Sequence, residues 1–138
     1  MSDCIFCKIV AGEVPANKIY EDDRCLSILD VGYVNPGHSL VIVKPHLATV
    51  VDLDESLAGH AFVIANRVAK AIERSIAPDG LTILQANRPA GWQTVPHFHL
   101  HVLPRHRDDG VGLTWPAKNP PAEQLAGTAA SLRAALAL

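Results

Sequence analysis

The chain has 138 residues, 49% of them hydrophobic and 19% charged, with a formal net charge of −2 when its histidines are neutral. That length suits one hydrophobic core, and the charge lacks the broad basic footprint needed to hold nucleic acid or an anionic membrane surface. Only 5% of the residues are aromatic, too few for a base-stacking platform, and no apolar run approaches the ~18 residues of a membrane span.

The first residues, Met1 to Lys8, lack the basic start and long apolar stretch of a signal peptide. A cytoplasmic protein is expected, with Cys4, Cys7 and Cys25 serving as thiols or metal ligands rather than disulfide partners. Residues 4–11 form a short helical or irregular segment that sets Cys4 and Cys7 one turn apart. After the break at Val14-Pro15, a short strand is expected over Lys18 to Glu21 and a second over Arg24 to Leu29, joined by Asp22-Asp23. The turn Asn35-Pro36-Gly37 leads into His38 to Val43, a β-branched run that reads as a central strand buried on both faces and ended by Pro45.

Asp52 or Asp54 is placed to cap a long helix, with Glu55 in its first turn. Its core stripe is Leu57, Ala61, Ile64, Val68, Ile72 and Ile76, and His60 on this helix is read as structural. Pro78-Asp79-Gly80 stops the helix, and Leu81 to Ala86 forms another strand. The loop Asn87 to Thr94 then leads into His97-Phe98-His99-Leu100-His101-Val102-Leu103. Beyond Pro104 an irregular stretch leads to a short amphipathic helix over Glu123 to Leu136, with Leu125, Ala129, Leu132 and Leu136 on one stripe. The expected architecture is α+β: an antiparallel sheet of about five strands, one long helix and a short C-terminal helix. One domain is expected over 1–138, with 1–110 as its core and 111–138 as its tail.

The triple-histidine strand carries the chemistry. Side chains alternate across a strand, so Phe98, Leu100 and Val102 face a core while His97, His99 and His101 line the opposite face. At ~3.3 Å per residue His97 and His101 lie ~13 Å apart, too far for one zinc ion to take all three rings. At least one histidine therefore does something else. Cys4-x-x-Cys7 is half a zinc site, and His46 and His97 would complete a closed tetrahedral one. On spacing alone the cysteines serve equally well as small hydrophobes beside Ile5 and Phe6. His99 is the natural nucleophile, able to attack phosphorus if its other ring nitrogen is held by an acceptor. His101 is placed to hydrogen-bond the phosphate or leaving group and supply a proton. Gln93 and Thr94 could donate to phosphate oxygens, and Asp30 could accept from ribose hydroxyls.

These residues resemble the histidine triad (HIT) superfamily, whose signature of three histidines alternating with apolar residues is matched throughout His97 to Leu103. Cys4-Ile5-Phe6-Cys7-Lys8 with Gly12-Glu13-Val14-Pro15 is similar to the N-terminus of its two-cysteine, Hint-like branch, and Tyr20-Glu21-Asp22-Asp23, Pro36-Gly37-His38-Ser39-Leu40 and Gln93-Thr94-Val95-Pro96-His97 fit as well. The resemblance implies a homodimer with one continuous sheet, each protomer binding a purine nucleotide. It also implies a reaction through a nucleotidyl group on the middle histidine, His99. Ile5, Phe6, Ile9, Ile28 and Leu29 would line the base pocket, Asp30 would hold the ribose, and Asn87, Gln93, Thr94, His99 and His101 would surround the α-phosphate, Gln93 acting with the two histidines in catalysis. Structural zinc would sit on Cys4, Cys7, His46 and His97. His101 separates the chain from the nucleotidyltransferase branch, which carries glutamine there.

One departure stands out. The loop Arg88-Pro89-Ala90-Gly91-Trp92 replaces the usual glycines and acids, so Pro89 is expected to stiffen it and Trp92 to cover or narrow the phosphate site. The basic run Arg105-His106-Arg107 is either solvated or available to a leaving group or second phosphate. The leading expectation is a purine nucleoside phosphoramidase or nucleotide hydrolase. Against it stand a dinucleoside polyphosphate hydrolase, a nucleotide-binding regulatory module with incidental turnover, and a hydrolase using an open zinc site.

Overall fold

In the computed structural model, which describes residues 3–137, the order of elements is α1 (Ile5–Val10), β1 (Lys18–Glu21), β2 (Cys25–Leu29), β3 (Ser39–Val43), α2 (Glu55–Ile76), β4 (Gly80–Gln85), β5 (His99–Arg105) and α3 (Ala122–Leu136). The strands form a single antiparallel sheet in the order β1-β2-β3-β5-β4. This is the α+β architecture that the strand and helix patterning called for. Among the described residues, no helix is long and apolar enough to cross a membrane.

Period-two alternation sorts the sheet into two cores. Cys25, Val41, Val43, Phe98, Leu100 and Val102 pack against Leu57, Ala61, Ile64, Ala65, Val68 and Ile72 of α2. The opposite face of the sheet sends Leu26, Ile28, Leu40 and Ile42 toward Phe6 and Ile9 of α1. All five residues of β3 are therefore buried, as expected for a strand covered on both sides. The short helix α1 covers the histidine face, so that face is no exposed surface: His97 and His99 are both buried.

Helix α2 starts where Asp54 accepts from the Leu57 N–H at 2.8 Å, while Asp52 instead closes a single 3-10 turn with Thr49. His60 on α2 meets Asp22 at 2.6 Å, and Tyr20 donates to the same carboxylate, so this histidine ties the helix to the β1–β2 turn. Burial raises the Asp22 pKa, but donation from the Arg24 and Cys25 backbone, His60 and Tyr20 outweighs it and holds the carboxyl well below its usual range. Gly37 sits at φ +93° against Ile76 and Pro104, where a side chain would be both strained and crowded; this turn delivers His38 to the sheet.

Two expectations need correction. β5 begins at His99 and not at His97, because His97 and Phe98 are held by turns and loop contacts instead of the sheet ladder. Helix α3 forms over the expected residues but buries none of them: Leu125 is 56% exposed and Leu132 60%, so the leucines of the stripe read as amphipathic stay largely in solvent.

Candidate active site

Strand β5 pairs with β3 so that Leu40 opposes His101 and Ile42 opposes His99. Side chains diagonal across an antiparallel pair share a face, and this brings His38 beside His101. A cavity of about 260 Å³ opens over this face, near the small end of ligand sites, which run roughly 300–1,000 Å³. Its apolar wall includes Ile5, Phe6 and Ile9 from α1 with Ile28 and Leu29 from β2, and its polar groups are Asp30, Thr94, His99 and His101. Nine of the eleven residues expected around the nucleotide thus line one cavity. Asn87 and Gln93 do not. Gln93 accepts from the Arg88 N–H at 2.8 Å and donates to the Ala48 carbonyl at 2.6 Å, while Asn87 accepts from the Val50 N–H and exchanges bonds with Gln85. Both side chains are engaged in holding the loop that carries Thr94.

Hydrogen bonds to groups of fixed character determine the protonation of each ring. Burial pushes the pKa of His38, His97 and His99 below the ordinary histidine value, so each ring is neutral near pH 7 and carries one N–H. His99 Nδ1 lies 2.7 Å from the His97 carbonyl, which can only accept, so the proton is on Nδ1 and the Nε2 lone pair is free. The Val34 N–H donates to His38 Nδ1 at 3.2 Å, leaving the proton of His38 on Nε2. His38 Nε2–H then donates to His101 Nδ1 at 2.9 Å, which places the His101 proton on Nε2. Burial, followed by the neighbouring His99 and His38, pushes the His101 pKa down to about 4. The result is a lone pair on one ring beside an N–H donor on the next. Phe6 stacks edge-on against His99 with centroids 4.9 Å apart and fixes that ring from the α1 side.

A second cluster adjoins the first. His97 Nε2–H donates to the Val43 carbonyl at 2.6 Å, so its Nδ1 lone pair faces Cys4 Sγ at 3.3 Å and Cys7 Sγ at 3.6 Å. His46 Nδ1 lies 3.2 Å from Cys7 Sγ, and the four donor atoms all fall within 4.8 Å of one another. Tetrahedral zinc with bonds of about 2.3 Å to sulfur and 2.05 Å to nitrogen sets sulfur and nitrogen about 3.6 Å apart. Two sulfurs and two ring nitrogens at this spacing fit that ion. The third cysteine is inert, its thiol buried and pushed up to about 11.

Three sequence expectations change here. Trp92 is 60% exposed and lies outside the cavity lining, on a loop whose Arg88 and Trp92 both adopt positive φ, so it neither covers nor narrows the cavity. Arg105 is held away from a leaving-group role, because Asp109 accepts from it at 2.8 and 3.2 Å and Thr82 and the Val111 carbonyl accept from the same guanidinium. His38 was absent from the expected site because only the pairing of β3 with β5 brings it to His101. Its place one step after an Asn-Pro-Gly turn was the sole local hint.

A sheet of this order, carrying alternating histidines over a mostly apolar cavity beside a cluster of two cysteines and two histidines, defines a histidine triad protein. The HIT domain family matches residues 11–108, and the chain belongs to it. It is 41% identical to "Protein hit" of Bacillus subtilis over 114 residues, 82% of this chain and 79% of that protein. It is 36% identical to the adenosine 5′-monophosphoramidase hnt1 of Schizosaccharomyces pombe over 115 residues, 83% of this chain and 84% of that one. Among solved structures, a HIT family protein from Bacillus anthracis superposes with a TM-score of 0.92 at 36% identity, covering 96% of both chains. A zinc-bound histidine triad family protein from Mycobacterium smegmatis does so with a TM-score of 0.76 at 34% identity, covering 97% of this chain and 98% of that one.

Proposed function

We propose that this protein hydrolyses conjugates of a purine nucleoside 5′-monophosphate through a nucleotidyl group carried on His99 Nε2. The single observation that carries the reading is the free Nε2 lone pair of His99, held by the His97 carbonyl and set beside the His101 Nε2–H in one cavity. The apolar wall of Ile5, Phe6, Ile9, Ile28 and Leu29 suits a purine ring, and Asp30 at the rim suits ribose hydroxyls. The phosphoramidase named among the relatives supports the substrate class.

In the first step His99 Nε2 forms a bond to the α-phosphorus as the bond to the leaving atom breaks. The phosphate charge draws a proton from solvent onto His101 as the substrate binds, and the ring gives one proton to the leaving atom as its bond to phosphorus breaks, which returns His101 to its neutral form. In the second step His101, now neutral, takes a proton from a water that attacks the same phosphorus, and the nucleoside monophosphate leaves His99. Thr94 donates to the phosphate, while Gln93 and Asn87 keep its loop in place. Mixing the protein briefly with an adenosine phosphoramidate tests this: intact-mass spectrometry is expected to show a transient gain of one adenylate. Tight nucleotide binding without adduct or turnover would support a regulatory binding module instead.

Zinc on Cys4, Cys7, His46 and His97 belongs to the same reading, and the zinc-bound mycobacterial neighbour supports it. The ion would cross-link the α1 segment to the β3 and β5 approaches, a structural part. A Cys4→Ser/Cys7→Ser protein is expected to fall from one zinc per chain to none and to melt several degrees lower. Unchanged metal content by plasma mass spectrometry would remove this ligand set.

The same reading includes a homodimer joined along β4, a sheet edge with no further strand beyond it among the described residues. Ile83 at its centre is 38% exposed. An unpaired edge of this kind accepts a second copy. Ile83→Lys is expected to shift the protein to monomer in light scattering at micromolar concentration; an unaltered mass would place the interface elsewhere.

A further inference from the structure

We propose that the metal at Cys4, Cys7, His46 and His97 positions the nucleophile, with His97 as the positioning residue that joins the two sites. This rests on the zinc reading above and adds to it a direct line from metal to catalytic ring. His97 is engaged at four points: its N–H donates to the Val95 carbonyl at 2.8 Å, its Nε2–H to the Val43 carbonyl at 2.6 Å, its Nδ1 faces both cysteine sulfurs, and its carbonyl accepts from His99 Nδ1 at 2.7 Å. The last contact keeps the proton of His99 on Nδ1 and the lone pair on Nε2.

What aims that carbonyl is the point. β5 starts at His99, so the His97 carbonyl takes no part in the sheet ladder. Its direction follows from the contacts of its own residue and from Phe98, whose N–H donates to the Leu47 carbonyl at 2.7 Å. Leu47 adjoins His46, itself a ligand. The metal therefore grips both sides of the short path that ends at the His97 carbonyl: the ring of His97 directly, and Leu47 through His46. A ring nitrogen bonded to metal is fixed in direction, as a ring resting against two thiols is not. Removing the metal frees the His97 ring to turn about its Val43 contact, the carbonyl tilts, and His99 loses the acceptor that selects its reactive tautomer.

The test reads the tautomer itself. In uniformly ¹⁵N-labelled protein loaded with one zinc per chain, long-range ¹H–¹⁵N correlation is expected to show His99 as a single Nδ1–H tautomer. After chelation, with circular dichroism showing the fold retained, the His99 nitrogen shifts are expected to move toward the averaged values of an unselected ring. kcat should drop about tenfold or more, with KM changing far less. Cadmium should restore the single Nδ1–H tautomer, and His46→Cys, which keeps four ligands, should retain that tautomer where His46→Ala does not. A folded, metal-free protein whose His99 stays a single Nδ1–H tautomer overturns the proposal. Should the stripped protein unfold, exchange of zinc for the larger cadmium in the folded protein decides: a shift of the His99 Nδ1 proton supports the coupling, and an unmoved resonance overturns it. Protein that takes up no zinc overturns the metal reading itself, an outcome that metal analysis separates from the others.

Discussion

A His99→Ala protein is expected to bind adenosine monophosphate and to lose turnover of an adenosine phosphoramidate by about 10⁴-fold or more, the scale of loss when a nucleophile is removed. That factor corresponds to about 5.5 kcal/mol of transition-state stabilisation. Binding should survive because the cavity keeps Ile5, Ile9, Ile28, Leu29 and Asp30, none of which leans on the His99 ring for its place in an element. The Phe6 ring loses one edge contact and keeps another, with His97 at 5.8 Å. The loss should fall on kcat, and the adenylate adduct should vanish with it. Turnover within tenfold of the unaltered protein, with no adduct on either, would replace the covalent route by direct attack of water.

The difference between His99 and its neighbours explains how much of this site could be read before the fold was known. Alternation alone puts three rings on one face and three apolar side chains on the other, and the structure keeps that division from Phe98 to Val102. The pattern also exposes the distance problem that excludes one metal on all three rings. What alternation leaves out is pairing. His38 reaches His101 only because β3 and β5 are neighbours in a register that sets Leu40 opposite His101. A single strand carries no information about its partner.

The engagement of Gln93 is hidden for a similar reason. A glutamine next to a candidate phosphate site is a sensible donor, yet both ends of its amide are taken by Arg88 and Ala48, and the latter lies 45 positions earlier in the chain. Arg105 repeats the lesson: the basic run is plain in the sequence, while the Asp109 carboxylate folds back on it at 2.8 Å. Helix α3 shows the converse. Its stripe of Leu125, Ala129, Leu132 and Leu136 is a valid helix signal, and the helix forms, but periodicity says nothing about whether a surface awaits it.

Acid should destabilise this protein well before its carboxylates are exhausted, and His101 sets a large share of the effect. Its ordinary pKa of 6.5 falls to about 4 in the folded protein, chiefly through burial and then through His99 and His38. The folded state binds that proton more weakly than the unfolded chain, so stability falls as pH falls. The contribution is complete above about pH 6.5, declines through the interval, and is fully lost below about pH 4. The shift is worth about 3 kcal/mol in all, of which about 2 is gone by pH 5. His38 shifts in the same direction by burial, with the Asp30 carboxylate 3.5 Å away opposing it. Urea unfolding of the unaltered protein and of His101→Gln, at pH 7.5 and pH 5, isolates the term, because both proteins keep Cys4, Cys7, His46 and His97, so any metal held there would be lost alike. The glutamine variant, with nothing to titrate at that position, is expected to lose about 2 kcal/mol less over this interval. Parallel losses in the two proteins would mean that the ring titrates as it does in water, and that burial does not hold His101 neutral before substrate arrives.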